Sequence, residues 1–223
     1  MNNQTNKPDK KQEARERLIP KLLPHLRKNG LQSVRMDEIA KAMEVSRATL
    51  YKYFSTKEEI VGFVIGGFAT YMEDLIVNPT HSEKRIGSQF QQIFEQSISL
   101  IVYFSDAFLK DLEAGYPEWY DRFEVATKQR EANILAFYDE GIRNGIFHDL
   151  NGKLLIAQDE LLRSVLNPKY LMTNQLTVGQ ILSDYYELKK IQLFKPESLI
   201  LIDDSVMPAK IDYLEQKVMK NLF

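Results

Sequence analysis

Cysteine is absent from all 223 residues, which removes disulfides, zinc-thiolate sites, thiol redox sensing and cysteine nucleophiles from consideration. No apolar run approaches the roughly 18 residues that a membrane-spanning helix needs. The start, MNNQTNKPDKKQEARE, has no apolar stretch of the kind found in secretory signals. Histidine is scarce, and His25, His81 and His148 are too far apart to form a metal-ligating motif. A Gly-rich phosphate loop and a G-x-S-x-G elbow are both missing. Glu58-Glu59 and Asp203-Asp204 are adjacent pairs, which on a helix would splay by about 100° instead of converging. The expectation is a soluble cytoplasmic protein that is not an enzyme and carries no metal or organic cofactor.

What is present is enough apolar material for a real core, 44% of the chain, and an uneven distribution of charge. Residues 1–60 hold 13 Lys and Arg against 8 Asp and Glu, whereas residues 61–223 hold 16 against 23. A basic front on an acidic body points to an anionic partner, nucleic acid or another anionic surface, at one end.

Helical spacing of apolar residues dominates the chain. Residues 1–9 are polar and read as a disordered arm. From about Lys10, the residues Leu18, Ile19, Leu22, Leu23 and Leu26 form one apolar face that stops at Gly30. Pro20 and Pro24 interrupt it, so the helix either kinks there or begins near Pro20. Short helices are expected over about 36–43 and 47–54, with Ser46 capping the second. Thr56 and Glu59 form a capping box that opens a third, running to about Val77 before Asn78-Pro79. Further helices are read over about 83–104, 106–114, 118–144, 152–166, 175–193 and 208–221. Leu199–Ile202 alone looks strand-like, and a lone strand has nothing to pair with. The fold class expected is all-α.

The stretch VSRATLYKYFSTKEEI, residues 45–60, is where chemistry concentrates. Two short helices joined by Glu44-Val45-Ser46 make a helix-turn-helix, with Ile39, Val45 and Leu50 between them and Ala40 small enough for a close crossing. Arg47, Ala48, Thr49, Tyr51 and Lys52 would then face outward. Arg bonds guanine O6 and N7, Ala and Thr methyls meet the thymine methyl, and Tyr and Lys hold phosphates. Lys57 stands in the first turn of the next helix, where free backbone N–H groups favour a phosphate. Charge alone favours a plainer reading, an amphipathic helix with a solvated basic face. The residue pattern goes further.

Gly30-Leu31, Ile39-Ala40, Val45-Ser46, Thr49 to Phe54 and Lys57-Glu58 together closely resemble the DNA-binding domain of the TetR family of bacterial regulators, over about residues 14–64. The resemblance implies a disordered arm at 1–9, a helix-turn-helix domain at 10–60 and a helical effector-binding and dimerisation domain at 61–223. It also implies a homodimer on a palindromic operator, with half-sites about one helical turn apart. Arg47, Ala48, Thr49 and Lys52 match the family's base-reading face, and Tyr51, Tyr53 and Lys57 its phosphate and sugar contacts. Arg35 stands where the family usually has Thr or Ser, so phosphate contact is kept but the cap is lost. Glu44 replaces the Gly of the left-handed turn, at a cost of about 1 kcal/mol.

In the body, the resemblance implies an effector pocket, with Phe68, Phe90, Phe94, Phe104, Phe108, Trp119 and Phe123 as candidate lining for an apolar or aromatic small molecule. Helical aromatic stripes are more often plain core. Gly66-Gly67 is either a pliable link or a site of close helix packing. Leucine-rich helices near 154–166 and 181–193 would form a four-helix dimer interface or intramolecular core. Repression by operator binding, relieved by the effector, is the expected function. The rival is a TetR-fold protein that works through protein contacts without operator binding.

Overall fold

The computed structural model describes residues 10–75 and 83–222, and the expected arm at 1–9 and the break at Asn78-Pro79 lie outside the described residues. Eleven α-helices are described: α1 (Lys10–Asn29), α2 (Met36–Ala42), α3 (Arg47–Tyr53), α4 (Lys57–Glu73), α5 (Glu83–Tyr103), α6 (Asp106–Gly115), α7 (Pro117–Arg143), α8 (Gly152–Val165), α9 (Pro168–Asn174), α10 (Val178–Leu193) and α11 (Met207–Leu222). Short 3₁₀ turns at Pro196–Leu201 and Asp204–Val206 precede α11. The fold is all-α, and the sole β feature among the described residues is an isolated bridge between Phe147 and Phe194. No described helix is long and apolar enough to cross a membrane.

The chain divides into two compact units. One runs to Gly67 and takes in Ser105–Asp121, and the other comprises Phe68–Phe104 and Arg122–Phe223. The expected boundary at residue 60 assigned 105–121 wholly to the body. In the first unit, Asp111 of α6 explains why that segment packs where it does. Its carboxylate accepts the Leu31 and Gln32 N–H groups at 2.7 and 2.9 Å. At Gly30, with φ +75°, a Cβ would stand 2.3 Å from the same oxygen, so only glycine allows this approach. Trp119 lies against Gly62 of α4, where a Cβ would meet the indole at 2.4 Å. Leu22, Leu26, Leu31, Ile39, Met43, Leu50, Phe54 and Ile65 fill the unit's interior.

Helix α1 runs unbroken through both prolines. Pro20 lies on the exposed side and Pro24 is half-buried, and the buried face of Leu18, Ile19, Leu22, Leu23 and Leu26 holds the helix together. The helix starts at Lys10 and not near Pro20.

The second unit has a continuous core contributed by α5, α7, α8, α10 and α11. Its C-terminal segment packs on α5 and α10, with Met207, Ile211, Leu214 and Val218 buried. The strand-like run Leu199–Ile202 is mostly 3₁₀ turn following Pro196. The expected helix over 175–193 starts at Val178. Gln175 takes φ +54° to end α9, and Thr177 and Gln180 form a capping box that opens α10. The division between units falls after Gly67, and among the described residues, apart from the adjoining residues and backbone of α4 itself, no heavy atom lies within 4 Å of a Cβ built on Gly66 or Gly67. Close packing therefore does not account for those glycines.

Candidate nucleic-acid interface

Helices α2 and α3 are held by a short, fully bonded turn. The Met43 N–H donates to Ile39 O at 2.9 Å and the Val45 N–H to Ala40 O at 3.0 Å, while Glu44 between them takes φ +58°. The left-handed position that glycine usually fills is thus occupied by Glu44, whose carboxylate pairs with Lys21 of α1. Ser46 caps α3: its Oγ accepts the Thr49 N–H at 3.0 Å and lies 2.8 Å from the Thr49 hydroxyl. Ile39, Ala40 and Leu50 are buried between the helices and Val45 is half-buried.

The opposite face of α3 carries Arg47, Ala48, Tyr51 and Lys52, all exposed and spaced i, i+1, i+4, i+5. Arg47 Nε is 2.9 Å from Asp37 Oδ1, with the two side chains 65% and 57% exposed. Such a pair is weak and readily exchanged. Lys52 Nζ stands 5.9 Å from the Tyr53 ring centroid. Thr49 and Tyr53 are half-buried, and Thr49 is committed to the Ser46 cap.

Arg35 is exposed at the N-cap of α2. A guanidinium cannot accept a hydrogen bond, so the cap is supplied from the other side by Glu38, whose carboxylate accepts the Arg35 N–H at 2.8 Å. Lys57 is half-buried and donates to Gln32 O at 3.1 Å. Burial pushes its ammonium below the ordinary lysine value, opposed by the charges of Asp111 and Glu38. In this state Lys57 fastens the loop before α2 to α4.

Sequence reasoning missed Arg15, which secures the end of α3. Its Nε and Nη2 donate to Tyr53 O at 3.0 and 2.7 Å, it pairs with Glu59, and its guanidinium lies 5.0 Å from the Phe54 ring centroid. Glu59 also accepts the Ser55 N–H at 2.7 Å, the main reason its carboxyl is held below the usual value, and its own N–H donates to Thr56 Oγ1. No local signal marks Arg15, because its partners lie 38 and 44 residues away.

The seven aromatic residues proposed for an effector fall into three groups. Phe68, Phe104 and Phe123 stack in series in the second unit, at 4.6 and 4.7 Å between centroids. Phe90 and Phe94 flank Tyr186 at 5.5 and 5.2 Å, deep in that unit's core. Phe108 and Trp119 belong to the first unit, Phe108 buried and Trp119 over Gly62. Two described clefts of the second unit, about 490 and 310 Å³, are lined by other residues, among them Asp139 and Arg143 in one and Asp204 and Asp212 in the other. Among the described residues no group of His, Asp or Glu could hold a metal ion.

Residues 26–62 match the family described as "Bacterial regulatory proteins, tetR family". The chain is 21% identical over 178 residues to the uncharacterized HTH-type transcriptional regulator YvaF of Bacillus subtilis (strain 168), covering 78% of this chain and 92% of that protein. It is similar in fold to the ketosteroid transcriptional regulator KstR2 of Mycobacterium tuberculosis, at 18% identity and TM-score 0.56, over 85% of this chain and 97% of that one. The crystal structure of superantigen pfit is comparably similar, at 15% identity and TM-score 0.54, over 82% and 89% of the two chains. At such identities the likeness is one of fold.

Proposed function

A member of the TetR family of bacterial regulators by its residues 26–62, this chain acts, we propose, as a dimeric repressor released from a palindromic operator by a small-molecule effector. The observation that carries the reading is the outward face of α3. Arg47, Ala48, Tyr51 and Lys52 are exposed on a helix fixed at its start by Ser46 and at its end by Arg15. A guanidinium, a methyl, a phenol and an ammonium on one short rigid helix match the guanine edge, the thymine methyl and flanking phosphates of a major groove. Arg35 and Lys57 supply phosphate contacts beside it, and Thr49 and Tyr53 complete the set. On DNA, phosphate or guanine takes Arg47 from Asp37.

Dimerisation is supported by the outer faces of α8 and α10. Leu154, Leu161, Leu188 and Ile191 are all exposed there. The effector acts on the second unit, where Phe68, Phe104 and Phe123, with Phe90 and Phe94, supply apolar surface. Phe108 and Trp119, in the first unit, are candidates for the residues that respond. Occupancy shifts the population toward a state whose two α3 helices no longer fit successive major grooves, by no more than the effector's differential affinity for the two states. The pair Gly66-Gly67, where a Cβ would meet no described residue beyond α4's own adjoining turns within 4 Å, is where α4 is easiest to deform.

The test is selection of binding sites from random duplex DNA. The wild type is expected to enrich a palindrome, and an Arg47→Ala, Lys52→Ala variant to lose it. On the selected site the variant should bind about 100-fold more weakly, with a log–log salt dependence shallower by about one for each phosphate contact removed. A folded dimer that enriches no motif at low salt would instead favour a protein acting through protein contacts alone.

A further inference from the structure

The second unit buries a cation to which the described residues give no ion pair. Arg130 of α7 is only 8% exposed. Its Nε donates to Gln96 Oε1 at 2.5 Å and its Nη2 to Ser97 Oγ at 2.6 Å, both on α5. These partners are neutral. Among the described residues Arg130 forms no ion pair, and its Nη1 has no hydrogen-bond partner. Gln96 is oriented in turn by donating to Tyr71 O at 2.6 Å.

Asp159 of α8 is the acid that acts on Arg130 through space, and it is already used. Lys189 of α10, 7% exposed, stands 3.0 Å from its Oδ1 and also donates to Leu155 O, while the Tyr185 hydroxyl donates to the same Oδ1 at 2.7 Å. Glu95, one residue from Gln96, is paired with Lys210 at 2.9 Å. The buried cluster therefore holds two cations, Arg130 and Lys189, against one anion, Asp159. Beside it stands Tyr138, 4% exposed, whose phenol interacts electrostatically with both Arg130 and Asp159.

A buried charge with no counter-ion is costly, and an arginine kept in that position is suited to receiving an anion from outside. We propose that Arg130 anchors the effector and that the effector is an organic anion, a carboxylate on an apolar or aromatic body. The carboxylate takes the Nη1 edge of Arg130, which the bonds to Gln96 and Ser97 leave unused. The apolar body is argued from what surrounds the cluster: Ile134 and Phe137 are buried on the turns of α7 between Arg130 and Tyr138, and Phe94 stands 6.2 Å from Tyr185. The inference rests on the ligand-responsive reading above and adds the effector's charge and its anchor.

The test begins on the free protein, so it does not depend on any operator. Ser97→Asp places a carboxylate where a hydroxyl already accepts from Arg130, and Ser97→Asn is its neutral counterpart. With Arg130 present, Ser97→Asp should melt about 3 °C above Ser97→Asn, and with Arg130→Met the order should reverse. Ser97→Asp melting at or below Ser97→Asn while Arg130 is intact would overturn the proposal. The second arm compares benzoate and decanoate with benzamide and decanamide, and with acetate at equal ionic strength. Benzoate or decanoate is expected to raise the melting temperature, with Arg130→Gln weakening that binding at least tenfold. Equal shifts from the amides, or no shift from either acid, would overturn the carboxylate assignment. An equal shift from acetate would overturn the apolar body. Failure of the operator reading would appear only in the DNA selection, so the two can be told apart.

Discussion

Two cations from each unit stand in opposite environments. In the first, Arg47 and Lys21 are 65% and 42% exposed and lean on exposed acids, Asp37 and Glu44. In the second, Arg130 and Lys189 are 8% and 7% exposed and bonded to groups on neighbouring helices. An exposed pair at contact distance is worth about 1 kcal/mol in water and is screened by salt over about 8–10 Å. A buried pair is screened much less by salt, and removing one partner strands the other unless a further charge stands by. Exposed cations can therefore pass from a carboxylate to a phosphate and back at small cost, as reversible, salt-sensitive DNA binding requires. Buried cations hold fixed positions and discriminate by charge, as a sensor requires.

The largest effect that would break this comparison is expected at Lys189. Replacing it by alanine leaves the half-buried Asp159 with the Tyr185 hydroxyl and the through-space charge of Arg130, which should cost about 1.5–3 kcal/mol, the range for a lost hydrogen bond to a charged group. Urea unfolding measures the loss, and the change should fall on the transition of the second unit. A cost below about 1 kcal/mol would mean that Asp159 reaches water, and the contrast between the units would fail. Because Tyr185 donates to Asp159 and burial raises its own pKa well above the ordinary tyrosine value, the phenol stays protonated throughout such an experiment near neutral pH.

What could be read from the sequence follows the same division. In the first unit the signals are local: Ser46 with Thr49, Thr56 with Glu59, Gly30 as a stop, and Leu50 opposite Arg47 on one short helix. Each is set by neighbours within a few residues, and the structure shows each one, although of the Thr56–Glu59 box only the Thr56 half forms, the Glu59 carboxylate accepting the Ser55 N–H instead. The contacts that position these elements were not legible, because Arg15 meets Tyr53 and Asp111 meets Leu31 across 38 and 80 residues. In the second unit, helix spacing located the elements, but nothing in a run of charged and aromatic residues distinguishes Arg130, which faces Gln96, from Lys128, which is solvated. One miss was avoidable. Thr177-x-x-Gln180 is a capping box in plain sight, and it marks the start of α10 that the expected helix over 175–193 ran through.

A smaller effect, about 1 kcal/mol and of opposite sign, is expected from Glu44→Gly. The substitution relieves a non-glycine residue from φ +58° and removes the pair with Lys21, which is exposed and contributes little. The urea midpoint of the first unit should rise. A fall would mean that the Lys21 pair outweighs the backbone strain, and that surface charges in this unit do more than exchange partners.

The smallest effect sharpens the comparison most, because it isolates one exchange. Asp37→Asn keeps the size of the side chain and removes the charge that holds Arg47 at 2.9 Å in the free protein. The pair is exposed on both sides, so stability should change by less than about 0.5 kcal/mol. Operator affinity should rise by about two- to fivefold, the equivalent of roughly 0.4–1 kcal/mol, since Arg47 no longer leaves a carboxylate when it meets DNA. Titration of a labelled operator at two salt concentrations checks both the size and the cause. The gain should be larger at low salt, where the lost repulsion between Asp37 and the phosphates is least screened. Unchanged affinity at both salt concentrations would mean that Arg47 stays with Asp37 on the operator, leaving Ala48, Tyr51 and Lys52 to read the groove without it.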